Sequence, residues 1–301
     1  QHLNALLASE VMRYEVIENE LVEIKEKYAD ERRTRIIKMA TEFNPEDMYA
    51  DDDMVITISH LGYIKRTPLA DFRQQGRGGV GAKASAARDE DFIEYVHQAN
   101  MHSTMMFFTE QGRLYWTKVY ELPEGNRQSK GRALQNMINI QKGDKVCAFI
   151  HVKNLNDMEY VQNHYLIFAT KNGLMKKTTL ESYSRPRANG IIALGLREDD
   201  RLIRVTLTDG NSQMLVASYN GKVVRFPEDT VRPMGRTATG VRAIKLDEDG
   251  QDRVVGMICV EEGSKESVLV ISEKGFGKRT DLDDENGEPI YRITNRGGKG
   301  V

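Results

Sequence analysis

Five times along this chain a short apolar strand runs into a glycine turn, continues into a second strand with a basic tail, and is followed by another glycine at a near-fixed distance. The copies read MVITISHLGYIKRTPL from Met54, MMFFTEQGRLYWTKV from Met105, LIFATKNGLMKKTTL from Leu166, MLVASYNGKVVRFPE from Met214 and VLVISEKGFGKRTDL from Val268. Their turn glycines, Gly62, Gly112, Gly173, Gly221 and Gly275, are 50, 61, 48 and 54 residues apart. The second glycines are Gly81, Gly131, Gly190, Gly240 and Gly300, which follow at 19, 19, 17, 19 and 25 residues. Self-similarity at this period marks a repeat architecture.

Each unit also holds a leading strand opened by an acidic residue, at Asp91, Asp144, Asp200 and Asp252, and a short apolar strand after the second glycine, such as Ile191–Leu196 or Val241–Leu246. Asn172-Gly173 and Asn220-Gly221 supply the positive φ angles of tight hairpins. Four strands in about 50 residues is the size of a propeller blade. One blade cannot bury its own faces, so neighbours must stack. The reading is a mainly β fold over residues 49–301: a propeller-like array of four-stranded blades, about five of them, in a ring that is either incomplete or truncated before a sixth.

Residues 1–48 read differently. Leu3, Leu7, Val11, Tyr14, Ile17, Leu21, Ile24 and Tyr28 recur at three- and four-residue steps, which predicts a long N-terminal α-helix with an apolar stripe. One arm of an antiparallel coiled coil and a helix packed on its own domain both fit. Asn44-Pro45 ends the helical pattern.

Charge divides along the same line. The net charge of −2 splits into −7 for residues 1–53 (7 Lys+Arg against 14 Asp+Glu) and +5 for the remainder (36 against 31). No run of about 18 apolar residues is present, so no membrane partner is expected. Cys147 and Cys259 sit inside apolar strands and suit reduced thiols in the cytoplasm. No Cys/His spacing suggests a metal site.

One residue type recurs beyond the hairpins. The fourth position past the turn glycine is Arg66, Lys177, Arg225 or Arg279, with Trp116 in the second repeat. Lys65, Lys176 and Lys278 precede three of them. The following loops add Arg127, Lys130 and Arg132, then Arg185 and Arg187. Later loops add Arg232, Arg236 and Arg242, then Arg292, Arg296 and Lys299. Strict repetition is expected to set these cations on one rim, where they would neutralise a nucleic-acid backbone. A solvated charged edge is the plain alternative.

The sharpest local motif is Gln75-Gly76-Arg77-Gly78-Gly79-Val80-Gly81. It contains G-x-G-x-x-G, but neither the preceding strand nor the following helix of a dinucleotide site is present. What remains is a glycine-rich loop carrying Arg77, with Lys83 and Arg88 close behind, suited to close backbone approach and bidentate phosphate contacts.

Gln75–Gly81 resembles the gyrase-A box, Q-R-R-G-G-[RK]-G, and the whole chain resembles the C-terminal part of bacterial DNA gyrase A subunits. Ala29–Thr34 is similar to the end of that family's coiled-coil tail, and Tyr63-Ile64-Lys65, Ser85–Arg88 and Gly275–Thr280 are similar to its blade segments. Gly76 and Val80 replace basic residues, which leaves Arg77 as the box's only cation; Lys83 offers part of that charge.

The resemblance implies a β-pinwheel that wraps double-stranded DNA around a basic rim and presents a positive crossover for negative supercoiling. ATP and Mg would act on the B-subunit side of an A2B2 holoenzyme, and no cofactor is expected in this chain. The catalytic tyrosine would lie elsewhere in the holoenzyme, so no catalytic residue is expected here. The A-type subunit of topoisomerase IV, with a degraded box, and a protein-binding propeller scaffold are the alternatives.

Overall fold

The computed structural model describes residues 2–31, 33–34, 44–72, 77, 91–248 and 250–301. The chain forms two compact units, residues 1–44 and 45–301.

The first unit is helical. α1 spans His2–Ala8 and α2 spans Glu10–Tyr28. The sequence pattern reads as one helix, but Ser9 divides it. Its backbone is extended (φ −115°, ψ 120°) and its hydroxyl accepts from the Met12 N–H at 3.4 Å, so Ser9 caps α2. Glu10 in the first turn and Lys25 and Lys27 in the last suit the helix dipole. The apolar stripe is exposed along its length, from Leu3 to Tyr28.

The second unit is built from five successive hairpins. In chain order its strands are β1 (Asp53–Ser59), β2 (Tyr63–Pro68), β3 (Ile93–Asn100), β4 (Thr104–Thr109), β5 (Arg113–Lys118) and β6 (Arg132–Ala133). There follow β7 (Val146–Val152), β8 (Tyr165–Thr170), β9 (Leu174–Thr179), β10 (Ile191–Ile192), β11 (Leu202–Thr208) and β12 (Ser212–Ser218). The last are β13 (Val223–Pro227), β14 (Val241–Arg242), β15 (Val254–Glu261), β16 (Ser267–Ile271) and β17 (Gly277–Asp281). A short helix, α3 (Met158–Asn163), precedes the third hairpin.

The sheets run β3-β1-β2-β6, β10-β5-β4-β7, β11-β8-β9-β14 and β13-β12-β15, and β16 pairs with β17 alone. Val223 and Val301 exchange backbone hydrogen bonds of 2.9 and 2.8 Å, which gives the fourth sheet an outer partner as well. All pairings between these strands are antiparallel.

This wiring corrects the assignment of the leading strands. Asp91 opens a strand that pairs with the first hairpin, through β1, and not with the second. The aspartate itself explains the choice. Its carboxylate accepts from the Leu61 N–H at the turn of the first hairpin (3.0 Å). Asp144 does the same to Gln111, Asp200 to Asn172 and Asp252 to Asn220. Each acid therefore ties its strand back to the turn it follows in sequence. The short strand after each second glycine also crosses over: β6 lies in the first blade, β10 in the second and β14 in the third. The first three blades are thus closed by a strand from the next repeat, and the fourth by the Val223–Val301 pair.

The second glycines make that exchange possible. Gly131 has φ +76°, and a Cβ there would stand 2.5 Å from the Ile64 carbonyl oxygen on β2. Gly190, Gly240 and Gly300 meet Leu114, Met175 and Val223 in the same way. Only a residue without a side chain lets the incoming loop lie this close to the preceding blade.

The apolar cores lie between blades. One joins Ile56, Ile58 and Ile64 of the first blade to Met105, Phe107 and Tyr115 of the second. The next joins Met106, Phe108 and Leu114 to Leu166, Phe168 and Val205 of the third. A third joins Ile167 and Met175 to Met214, Val216 and Phe226 of the fourth. The contact of the fourth blade with the fifth is smaller, centred on Leu215, Val260 and Leu282. Both cysteines are free and half-buried, and burial holds the Cys259 thiol up at about 12.

Candidate nucleic-acid interface

The repeated cations divide into two sets. Lys65, Arg66, Lys176, Lys177 and Arg225 are all buried. The expectation that these five line an outer rim is overturned, because neighbouring blades and their loops cover the second strands that carry them. β2 and β9 are buried through their centres on both faces, and successive side chains on a strand point to opposite faces.

These buried cations grip the neighbouring blade. Lys65 Nζ donates to the carbonyls of Asn126 (2.7 Å) and Ser129 (3.0 Å). Arg66 donates to the Leu122 carbonyl at 2.8 Å and pairs with Glu124 at 3.1 Å. Lys177 pairs with the buried Glu228 at 2.7 Å. Arg225 pairs with Asp283 at 3.0 Å and donates to the carbonyls of Leu282 and Tyr291. Lys176 Nζ donates to the carbonyls of Ala193 and Arg236, each at 2.5 Å. Burial, aided by the Arg236 guanidinium, pulls the Lys176 ammonium down to about 7, and burial also lowers Lys65.

The second set faces solvent. Lys130 and Arg132 are exposed, as are Arg185, Arg187, Arg236 and Arg242, while Arg127 is half-buried. Lys278, Arg279 and Lys299 are exposed in the fifth repeat. Arg296 is half-buried and donates to the Arg242 carbonyl at 2.7 Å. Apart from Lys278 and Arg279 on β17, and Arg132 and Arg242 on the short strands β6 and β14, these cations sit on one structural feature. That feature is the loop between a second strand and the glycine that docks on the blade before it. The loop recurs at residues 122–131, 184–190, 231–240 and 289–300. The exposed cations thus recur mainly on basic loops at equivalent positions.

In the box, Arg77 is exposed in a turn. Gln75, Gly76, Gly78, Gly79, Val80 and Gly81 lie outside the described residues, as do Lys83 and Arg88. Among the described residues no cluster of three or more His, Cys, Asp or Glu could hold a metal ion, and no helix is long and apolar enough to cross a membrane.

A family model for the DNA gyrase C-terminal domain, a β-propeller, matches residues 53–100, 103–153, 164–209, 213–261 and 266–301. The chain belongs to this family. Each of the five matched segments begins within two residues of the first strand of a hairpin.

Among curated relatives, the chain is 41% identical over 302 residues to the DNA gyrase A subunit of Staphylococcus epidermidis, covering 100% of this chain and 32% of that protein. It is 41% identical over 300 residues to the same subunit of Staphylococcus aureus, covering 99% and 32%. The chain therefore spans about a third of the length of these relatives. A solved C-terminal domain of DNA topoisomerase IV matches with a TM-score of 0.67 at 26% identity, covering 84% of this chain and 72% of that one. A solved DNA gyrase A C-terminal domain matches with a TM-score of 0.62 at 23% identity, covering 83% and 76%. The gyrase family fold is the β-pinwheel expected from the sequence, and the exchanged outer strands are its inter-blade locks.

Proposed function

We propose that residues 45–301 bind double-stranded DNA and wrap it over successive blades, as the C-terminal domain of a gyrase A subunit. The observation that carries this reading is the recurrence of exposed arginines and lysines on equivalent loops of consecutive blades. Cations spaced once per blade suit a backbone that passes from blade to blade, and a duplex bent along that path turns in one sense. Bending costs energy, which many phosphate contacts offset. Binding of this kind is insensitive to base sequence, because phosphate contacts position a duplex without reading it.

The wrapped segment would present the following stretch of the same DNA to the holoenzyme as a positive crossover. ATP-driven strand passage, with the B subunit in an A2B2 assembly in the cytoplasm, would then leave net negative supercoils. The chain itself would contribute no reacting group; it supplies the geometry of the crossover.

A topoisomerase IV A-type subunit is the second reading, favoured by the TM-score to that enzyme's C-terminal domain. The 41% identity to gyrase A subunits along the whole chain and the Gln75–Gly81 segment favour gyrase. The deciding experiment supplies relaxed plasmid and ATP to the complete A subunit joined to its B subunit. Net negative supercoiling identifies gyrase, and relaxation alone identifies topoisomerase IV.

Binding itself is tested by salt titration. Arg187→Ala and Arg236→Ala should each lower the slope of log affinity against log salt by about 0.9. A flat salt dependence in the unsubstituted chain would sink the phosphate-contact reading.

A further inference from the structure

The residue three positions past each turn glycine is Lys65, Tyr115, Lys176, Val224 and Lys278 in the five repeats. In the first four blades the second glycine of the following repeat lies over this residue: Gly131 over Lys65, Gly190 over the Tyr115 ring, Gly240 over Lys176 and Gly300 beside Val224. The seams therefore alternate in chemistry. Two have a buried ammonium beneath the incoming basic loop, and two have an uncharged side chain.

The ammonium groups bind the loop at particular atoms. Lys65 donates to the carbonyls of Asn126 and Ser129, the residues immediately before Arg127 and Lys130. Lys176 donates to the carbonyl of Arg236 itself, whose guanidinium is exposed. It also donates to Ala193, in the segment that closes the second blade, and to the Tyr183 hydroxyl at 3.3 Å. One buried nitrogen thus joins its own strand, the segment closing the blade before it and the loop of the blade after it. Over Tyr115 the corresponding loop is held by a side chain half open to solvent, Arg113, which donates to the Asn189 carbonyl at 3.2 Å.

We infer that Lys65 and Lys176 are positioning residues for DNA wrapping, each fixing the backbone of the next blade's basic loop so that Arg127, Lys130 and Arg236 form rigid anchors along the duplex path. This rests on the wrapping reading above. Neither lysine touches phosphate. Each acts through the peptide units that carry the contact residues, so loss of the lysine keeps the loop's charge and loosens its place. The loop over Tyr115 adapts to the duplex instead of fixing it. Anchors on the second and fourth repeats, separated by an adaptable contact on the third, set the direction in which DNA leaves each blade.

The test uses the 301-residue chain with Lys65→Met, Lys176→Met and Arg236→Ala, each read in two ways. The first is the writhe trapped per bound chain when nicked circular DNA is ligated. The second is the salt slope of affinity for a short linear duplex. Each Lys→Met variant is expected to trap less writhe, about twofold, with an unchanged salt slope, because anchors held loosely lose their geometry. Arg236→Ala is expected to lower the slope itself by about 0.9. Wild-type writhe in both Lys→Met variants overturns the clamp and leaves the wrapping reading standing. No trapped writhe in the unsubstituted chain overturns both. A third measurement needs no variant: amide exchange protection in the free chain should be higher for Ser129 and Ala238 than for Gly190. Equal protection at the three sites also overturns the clamp.

Discussion

Lys177 Nζ lies 2.7 Å from a Glu228 carboxylate oxygen, and the pair spans from β9 of the third blade to the turn that follows β13 in the fourth. Both side chains are buried. Glu228 also accepts from the Thr208 hydroxyl (2.7 Å) and the Ser212 N–H (3.2 Å), and the ammonium stands 4.2 Å from the Tyr165 ring centroid. Both charges of this pair are therefore met. The related residues Arg66 and Arg225 pair with Glu124 and Asp283, also carried by the following repeat. A cation at this place reads, in three of the four seams, as a rivet between blades.

Lys177→Ala should accordingly destabilise the fold. It strands a buried carboxylate, and breaking one partner of a buried pair costs about 3–5 kcal/mol. Urea unfolding followed by circular dichroism should show that loss, while the salt slope of DNA binding stays unchanged. A reduced slope at full stability would place Lys177 on the DNA surface.

Stability should also rise with pH through the buried Lys176. Its folded-state value of about 7 lies below that of an exposed lysine, so the unfolded chain binds the extra proton between the two. The stabilising contribution is complete above the unfolded value and is lost as pH falls through the folded one. The neutral amine still has two N–H groups for the carbonyls of Ala193 and Arg236. Relative to Lys176→Met, the wild-type chain should gain up to about 1 kcal/mol per pH unit from pH 7 to 10. A parallel pair of melting curves across that range would show that the ammonium is fully retained.

Gly131 and Gly62 have nearly the same φ, +76° and +81°, in different surroundings. Alanine at Gly62 meets nothing within 4 Å and should cost about 1 kcal/mol of left-handed strain. Alanine at Gly131 meets the Ile64 carbonyl oxygen at 2.5 Å and should cost about 3 kcal/mol, because the loop must lift off the first blade. Equal unfolding midpoints for the two variants would mean that the loop relaxes freely.

The hairpins were legible because their signal is local. A Gly turn between two apolar runs fixes both strands and their register within about fifteen residues. The pairing of the next strand is not local. Asp91 announces a strand start, but only the hydrogen bond to Leu61 shows that it joins the hairpin behind it. The glycines after each basic loop showed a period without a reason. That reason is a carbonyl on another blade.

The cations were the harder case. Lys65 and Arg66 are neighbours on one strand, so their side chains point to opposite faces and cannot both line one rim. That much was readable. The ammonium's partners were not, because backbone carbonyls of a later repeat leave no mark in the sequence. The loop cations Lys130, Arg187 and Arg236 could be read as exposed because they sit among Gly, Ser, Asn and Pro, with no strand to bury them. Ser9, followed by the acidic Glu10, carried the signature of a helix cap within an otherwise continuous stripe.

Arg77 is exposed and is the one basic residue of Gln75–Gly81. Replacing it with alanine should leave unfolding within about 0.5 kcal/mol of wild type, since exposed substitutions away from packed features rarely cost more. Its effect on wrapping should be larger than that of a single loop cation. A duplex that follows the basic loops from repeat to repeat would meet the repeats in chain order, and Gln75–Gly81 belongs to the first of the five in sequence. Arg77→Ala should therefore lower the writhe trapped in ligated circles by more than Arg236→Ala does, and Val80→Arg should raise it. Arg236 serves as the comparison because its side chain is exposed. Unchanged writhe in Arg77→Ala beside a clear loss in Arg236→Ala would mean that the later loops suffice to close the path of the DNA.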